Sequence, residues 1–598
     1  MVTTFNPGAA GPRYVAGHLM ENGHDAKFFH VKELRAVAIP TTDFEKHESL
    51  NRFSNDVQFI AIQHPGEILY VPYPTAITDQ EIDLFIAELK SYDPHIVGIS
   101  MFSVTVNIAR RLTRIIHERL PGLPVIWGGI HCMVHPETCL EGLRPHPVTG
   151  ETNPLQVPDI VCVTEGEYPM TELMDRWDEY IRGEIPDVAG LWFVKGTEVT
   201  KFNKKPFESN LDNYALPVYA VKEVLIDDDK LDHKFEDPKG FIQNHIYVFT
   251  ERGCPYSCSF CIHSTINKMD EGYSRIRRRT VAHVMGEIEK RIEENNLKHF
   301  ILHDEIFAIQ KKWIMEFADE WEKRFTKYGI TFTGYVHPIA TDEEMVDRLF
   351  EVGMSRTGIA IQTGSVRTSK LMYDRPLHRE KIIRMSEYVS KHAFDLVQVE
   401  VITDSAYELD EDRRDTLMLL LDMKPTFYVE TFGLQTYSTS ELANKKRLME
   451  EVPWNERLFW NMLYHLTGNT FINRDTILGL SNDPHMRENP LLLEQLVIDL
   501  KAQYYRSLKG QMRFDEENKL VTADKSAKEQ YDPQREMVLE MRRRSQAYNG
   551  AEGSIEEEKA RRNRSVTNPV GQIAEGEFSG YRFKRLVKES IKKLLNKQ

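Results

Sequence analysis

The sequence predicts an α/β protein in three parts: a doubly wound parallel sheet, a partial (β/α)6 barrel and a mainly helical C-terminal region. Three observations carry this. Helical and short Val/Ile-rich segments alternate from about residue 14 to 190, a second alternation begins near residue 241, and strand signals fade after about 441. A strand, helix, strand rhythm with continuous apolar strands argues for parallel sheets covered by helices.

Residues 1–195 form the first part. Its helix EIDLFIAELKS (81–91) leads into the strand IVGIS (96–100), a helix over 106–119, and the strands VIWGG (125–129) and DIVCV (159–163). Ligands in such sheets sit beyond the carboxyl ends of the strands. Attention therefore falls on Ser100 to Thr105, Gly128 to His131 and Glu165 to Glu167. Residues 196–240, with KFNKKP and LIDDDKLDHKFED, read as a linker.

The barrel is expected over 241–440, with strands at 246–250, 299–303, 331–336, 357–362, 396–402 and 427–434. Helices such as 281–294 and 343–353 separate them, and the active face should lie at the carboxyl end. In 441–598, LLLEQLVIDLKAQYYRSLKG and KSAKEQYDPQREMVLEMRRRS suggest helices, while polar 542–580 is expected to be flexible. Trp454, Phe459, Trp460, Tyr464, Tyr504 and Tyr505 either line a substrate pocket or pack as core.

Seventy-six Lys and Arg against 91 Asp and Glu give a net charge of −15, which disfavours nucleic acid or anionic lipid as a partner. No stretch approaches the roughly 18 apolar residues of a membrane span, and no signal peptide pattern opens the chain. A cytoplasmic location is expected. The last nineteen residues hold seven Lys or Arg and one Glu, the pattern of an amphipathic basic helix.

Six cysteines are too few for a disulfide scaffold. Cys254, Cys258 and Cys261 fall within eight residues, in TERGCPYSCSFCIH, directly after the first barrel strand. Three thiolates in one loop can hold three irons of a [4Fe-4S] cluster and leave the fourth open to another ligand. Zinc is the alternative, with His263 completing a Cys3His set. Cys132, Cys139 and Cys162 are scattered and read as small buried residues, or as ligands of a second cluster.

Cys-x3-Cys-x-Φ-Cys, with Phe260 as the aromatic, at the end of a first barrel strand resembles the defining motif of the radical S-adenosylmethionine (SAM) enzymes. The resemblance implies that the open iron chelates the methionine part of SAM, with Phe260 near the adenine. It further implies that Asp304 or Glu305, in HDE at 303–305, contacts the SAM amino group. GIAIQTGSVRTSKLMYDR (358–375) resembles the family's fourth-strand block and places Gln362 and Ser365 near SAM, with Glu400 a polar contact on the fifth strand.

The segments NPGAAGPR, DPHIVGISMFSVTVNIARRL, VIWGGIHCMVHPE and VTEGEYPMTEL resemble, in order, the cobalamin-binding domain of the class B members. Ser103, Val104, Thr105, Gly128, Gly129, His131, Glu165, Gly166 and Glu167 are then the cobalamin contacts. Glycines let backbone approach a bulky ligand, and hydroxyls suit an amide-rich corrin rim. Asp93-Pro94-His95-Ile96-Val97-Gly98 fits a cobalt-ligating pattern but leads into its strand at the wrong edge, so His95 is not expected to ligate.

The resemblance implies a [4Fe-4S] cluster, SAM and cobalamin as cofactors, and an external electron donor of flavodoxin or ferredoxin type. It implies C-methylation of an unactivated carbon in a small molecule or peptide, through a 5′-deoxyadenosyl radical and methylcobalamin. The rival readings are a non-methylating cyclase or oxidase, a methylthiotransferase with a second cluster, and a non-catalytic corrinoid carrier or sensor.

Overall fold

The computed structural model describes residues 1–5, 9–33, 37–40, 59–64, 67–72, 77–145, 150–219, 222–233, 247–269, 273–392, 394, 396–403, 405, 407–424, 427–434, 440–444, 452–468, 472–498, 512–514 and 520–522. In chain order the strands begin β1 (Val2–Phe5), β2 (Phe28–Glu33), β3 (Val37–Pro40), β4 (Phe59–His64), β5 (Glu67–Pro72), β6 (Val97–Ser100), β7 (Val125–Gly128) and β8 (Ile160–Cys162). They continue with β9 (Leu191–Lys195), β10 (Glu198–Lys201), β11 (Glu223–Asp227) and β12 (Lys230–Asp232).

The first sheet has the order β10-β9-β8-β7-β6-β1-β2-β11-β12. From β8 to β11 every pairing is parallel, whereas β9, β10 and β12 run antiparallel at the edges. The expected linker 196–240 thus supplies three strands of this sheet. Composition hid β11 because its apolar Val224, Leu225 and Ile226 sit between acidic residues. Glu223 is fully buried, where the guanidinium of Arg13 donates to it at 2.7 and 2.8 Å and His30 Nε2 lies 2.9 Å away. A paired and hydrogen-bonded carboxylate can occupy a core position that an unpaired one cannot.

The second sheet is the barrel. Its strands are β13 (Tyr247–Val248), β16 (His299–Leu302), β17 (Thr331–Val336), β18 (Met354–Gln362), β19 (Leu396–Thr403) and β20 (Tyr428–Gly433), six in parallel as expected. A short ribbon of β14 (Glu251–Arg252) and β15 (Arg277–Arg278) stands between the first two. Beyond β20 the sheet continues through β4, β5 and β3, with Thr431 opposite Gln63 and Phe432 opposite Ile62. These three strands, expected within the first domain, cover the open edge of the barrel instead. An uncovered strand edge would present unpaired amides and carbonyls.

Along β17 the outward residues Phe332, Gly334 and Val336 are buried under helices, while Thr331, Thr333 and Tyr335 face the lumen and are only half-buried. The helix Lys311–Arg324 places Ile314, Phe317, Ala318 and Trp321 at helical spacing on that outer face. Trp321 packs 4.5 Å from Phe332, ring centre to ring centre. Each such aromatic, fully buried, contributes roughly 2–3 kcal/mol through removal from water.

The helices Trp454–Thr467, Arg474–Ser481 and Pro484–Glu488 follow the barrel. Phe459, Trp460 and Tyr464 are buried in the same core as the barrel helices, which settles them as packing residues. Tyr504, Tyr505, the stretch 542–580 and the basic C-terminal segment lie outside the described residues. A hairpin of β21 (Met512–Phe514) and β22 (Leu520–Thr522) lies between the two expected helices of this mainly helical region.

Candidate cofactor site

A cavity of about 820 Å³ lies between the carboxyl edge of the first sheet and the cysteine loop of the barrel. The ribbon of β14 and β15 closes the base of that loop. Gly253 takes φ +101°, and a Cβ there would stand 2.4 Å from the Arg275 carbonyl oxygen. Only glycine fits that conformation and that approach. The Cys254 amide donates to the Tyr273 carbonyl at 3.1 Å, and the Asn267 side chain donates to the carbonyls of Cys254 and Tyr256, both at 3.0 Å.

Cys254 and Cys258 are buried, and Cys261 is half-buried on the cavity wall. Burial pushes the free thiols up, Cys254 to about 12 and Cys261 to about 11. Ligation is therefore coupled to proton release. The Arg375 guanidinium approaches Cys258 Sγ at 3.8 Å and donates to the Ala360 carbonyl at 2.7 Å. Three cysteines within eight residues of one loop, with Arg375 beside Cys258, are the donor set that an iron–sulfur cluster with one unligated iron takes. His263 is turned elsewhere, with Nε2 3.1 Å from a Glu305 carboxylate oxygen, which opposes the Cys3His alternative.

The structure separates the two acidic candidates after the second strand. Asp304 is buried and accepts from the amides of Thr250, at 2.6 Å, and Glu251, at 3.2 Å, and from the Thr250 hydroxyl. Its oxygens are committed to holding the end of β13. Glu305 lines the cavity with half its side chain exposed, and Phe260 and His303 share that wall. Burial pulls the His263 pKa down, but the neighbouring Glu305 carboxylate outweighs it and holds it above the ordinary histidine value.

Gln362 ends β18 with φ +64°, at an irregularity in its pairing with β19. A long side chain held at positive φ at a strand end is stored strain, which clusters at functional positions. Ser365 is fully buried and donates to Asp412 at 2.6 Å while accepting from the Thr368 amide, so its hydroxyl serves the following turn. Glu400 faces the lumen within reach of Tyr335 and Gln398, and burial raises its pKa. None of Gln362, Ser365 and Glu400 lines the shared cavity.

On the opposite wall the polar residues expected to hold a ligand are largely spent on their own domain. Thr105 bonds the Phe102 amide and carbonyl, both at 3.1 Å, within the turn that also contains Ser103 and Val104. His131 has Nδ1 2.9 Å from the Ser103 hydroxyl and Nε2 2.8 Å from Thr138. With both nitrogens engaged and its pKa lowered by burial to about 4, it is a neutral structural histidine.

The cavity surface on this side includes Ala10, Gly11, Ile99, Phe102, Gly128 and Gly129 beside Ser100, Ser103 and Thr164, with Phe102 nearly half exposed. A Cβ on Gly11 would meet nothing within 4 Å, and on Gly128 only Cys162 at 4.0 Å. These glycines leave a shallow apolar cradle that side chains would fill, which suits a flat bulky ligand. His95, by contrast, precedes the far end of β6 and stacks on Trp177 at 6.1 Å. Cys132 and Cys139 lie 3.8 Å apart, Sγ to Sγ, within the apolar core of the first sheet.

Glu165, Gly166 and Glu167 do line the cavity, yet both carboxylates turn toward the barrel ribbon. Glu165 is paired with Arg277 at 2.7 Å and Arg252 at 3.2 Å, and Glu167 with Arg252 at 2.6 Å. Residue type and spacing alone do not single out Arg252, Arg277 and Arg375. The Arg-Gly before Cys254 and the basic run RIRRR were the available signals.

Comparison with known proteins agrees with this arrangement. Residues 248–420 match the Radical SAM superfamily model and residues 73–174 the B12 binding domain model. The chain thus carries a segment that matches radical SAM proteins and, ahead of it, one that matches B12-binding domains. Among curated relatives, it is 23% identical over 362 residues to cytidylyl-2-hydroxyethylphosphonate methyltransferase from Streptomyces wedmorensis, covering 55% of this chain and 62% of that protein. It is 24% identical over 358 residues to the anaerobic magnesium-protoporphyrin IX monomethyl ester cyclase of Cereibacter sphaeroides, covering 57% and 51%. The chain thus spans less than two thirds of the length of these relatives. The radical SAM methyltransferase TsrM from Kitasatospora setae shares the fold, with a TM-score of 0.50 at 14% identity over 72% of each chain. Among the described residues no helix is long and apolar enough to cross a membrane.

Proposed function

We propose that the protein is a cobalamin-dependent radical SAM methyltransferase acting on an unactivated carbon of a small molecule or peptide. The observation that carries the reading is the single cavity walled on one side by the glycine cradle of the B12-binding domain and on the other by the cysteine loop. When bound, the cluster and SAM supply one-electron chemistry able to take a hydrogen atom from an inert C–H bond, and the corrinoid supplies methyl.

This chain's residues hold and orient. Cys254, Cys258 and Cys261 ligate the cluster, Glu305 receives the SAM amino group, and Phe260 walls the adenine. Gly11, Gly128 and Gly129 seat the corrinoid, with Phe102 against its face. Placing both cofactors in one cavity converts encounters between them into a fixed geometry. A flavodoxin or ferredoxin type donor supplies the electron from outside.

Anaerobic reconstitution followed by Fe, S and Co quantification tests the cofactor set. About four irons and one cobalt per chain are expected, and zinc or a second cluster would refute it. Cyclase relatives make cyclisation the competing chemistry. SAM labelled in its methyl group decides, since a product without label would sink methyl transfer.

A further inference from the structure

We propose that Glu165, Arg252 and Arg277 form a positioning device that sets the corrin-binding edge against the cluster loop. The inference rests on the function proposed above only in naming the two cofactors that the device aligns. Its basis is a buried ion network that crosses between the two domains.

Glu165 follows β8, at the ligand-bearing edge of the first sheet. Arg252 and Arg277 face each other across the β14 and β15 ribbon, from which the cysteine loop departs and to which it returns. The Arg277 fork grips Glu165 at 2.7 and 3.1 Å, and Arg252 reaches Glu165 and Glu167 together. The hydroxyls of Tyr214 and Tyr273 donate to the remaining acceptor positions of Glu165, at 2.9 and 3.0 Å. Glu165, Glu167 and Arg277 are almost wholly buried. Arg252 also lies over the ring of Tyr214 at 4.9 Å, and Arg277 over that of Tyr273 at 4.9 Å.

The network has two arginines for two carboxylates and both acceptor edges of Glu165 filled. Such a set has one low-energy arrangement, because moving either domain strands a buried charge. A bidentate arginine fixes angle as well as distance. Cys254 is two residues from Arg252, and Tyr273, which accepts the Cys254 amide, is itself a network member. The domain contact and the cluster loop are thus one rigid unit. Glu165 and the arginines act through the loop and touch no reacting atom.

The test is Glu165→Gln, of equal shape, in full-length reconstituted enzyme. Two partial reactions that need no substrate are measured. Reductive cleavage of SAM to 5′-deoxyadenosine needs only the cluster side, whereas transfer of the SAM methyl to reduced cobalamin, read as S-adenosylhomocysteine, needs both sides aligned. The expected result is at least a roughly tenfold loss of the second with the first within about twofold, at unchanged iron and cobalt content. Loss of both in proportion, or of neither, overturns the proposal.

Hydrogen exchange of the apoprotein supplies a second readout that stands whether or not cobalamin is the ligand. Glu165→Gln should speed exchange across residues 253–261 and leave β18 and β19 unchanged, and identical exchange in the two proteins overturns the proposal. Wild-type enzyme that forms no S-adenosylhomocysteine refutes the proposed function and leaves the exchange measurement to decide the network.

Discussion

The two walls of the shared cavity are made differently. On the barrel side, side chains do the work: three cysteines, Glu305, His263, Phe260 and His303 stand on or behind the surface. On the side of the first sheet, glycine backbone and apolar side chains make most of the wall beside Ser100 and Thr164, and the hydroxyls of Thr105 and Ser103, both nitrogens of His131 and the Glu165 carboxylate are bonded within the protein. A small charged ligand needs directed donors and acceptors, whereas a broad flat one needs room and apolar contact. The contrast fits the proposed function, in which SAM takes one wall and a corrinoid the other.

The largest effect should come from removing a cysteine. Cys258→Ala is expected to drop iron from about four per chain to below one and to reduce SAM cleavage by about a thousandfold or more, as read by 5′-deoxyadenosine formation. Corrinoid retention should persist, which would confirm that the walls are separable. Next, Gly128→Leu should fill the cradle and cut cobalamin binding about a hundredfold, measured by gel filtration and absorbance, with little change in melting midpoint. Gly129→Ala works through the backbone instead, because Gly129 has φ +97° and a Cβ would sit 2.6 Å from the Met101 carbonyl oxygen. It should cost about 1–3 kcal/mol of stability.

A sharper comparison uses the two neighbouring carboxylates. Glu305→Gln should weaken SAM binding about tenfold by equilibrium dialysis at unchanged stability. Asp304→Asn should lower stability by about 1–3 kcal/mol through its buried amide partners. The smallest effect is in pH dependence. Burial, aided by nearby His135 and Arg110, lowers His131 to about 4. Below the unfolded value of about 6.5 the unfolded chain binds a proton that the folded chain refuses. Stability is therefore lost as pH falls from about 6.5 toward 4. His131→Asn should flatten that part of the melting-midpoint profile.

How far the sequence could be read follows the same division. The cysteine loop was legible because ligand chemistry is written in residue type and spacing, and the six barrel strands because their apolar runs are long. Partner choice was not legible. Asp304 and Glu305 are adjacent acids, and only the Thr250 amide and hydroxyl tell them apart. Glu165 and His131 lie at the expected edge, yet their partners come from residues 214, 252, 273 and 277 in one case and 103 and 138 in the other. Buried charge pairs also misled composition, as at β11, where Glu223 disguised a core strand.

The pairing of β4 with β20 joins the start of the chain to its second half, because β4 ends at His64 and β20 begins only at Tyr428. During synthesis at roughly 5–20 residues per second, the early hairpin waits about 20–70 s for its partner to leave the ribosome. Throughout that interval its edge is a template for the wrong strand. Covering the open edge of the barrel is therefore a capture across about 360 residues of sequence, a contact of very high sequence separation made by strands that are among the first synthesised.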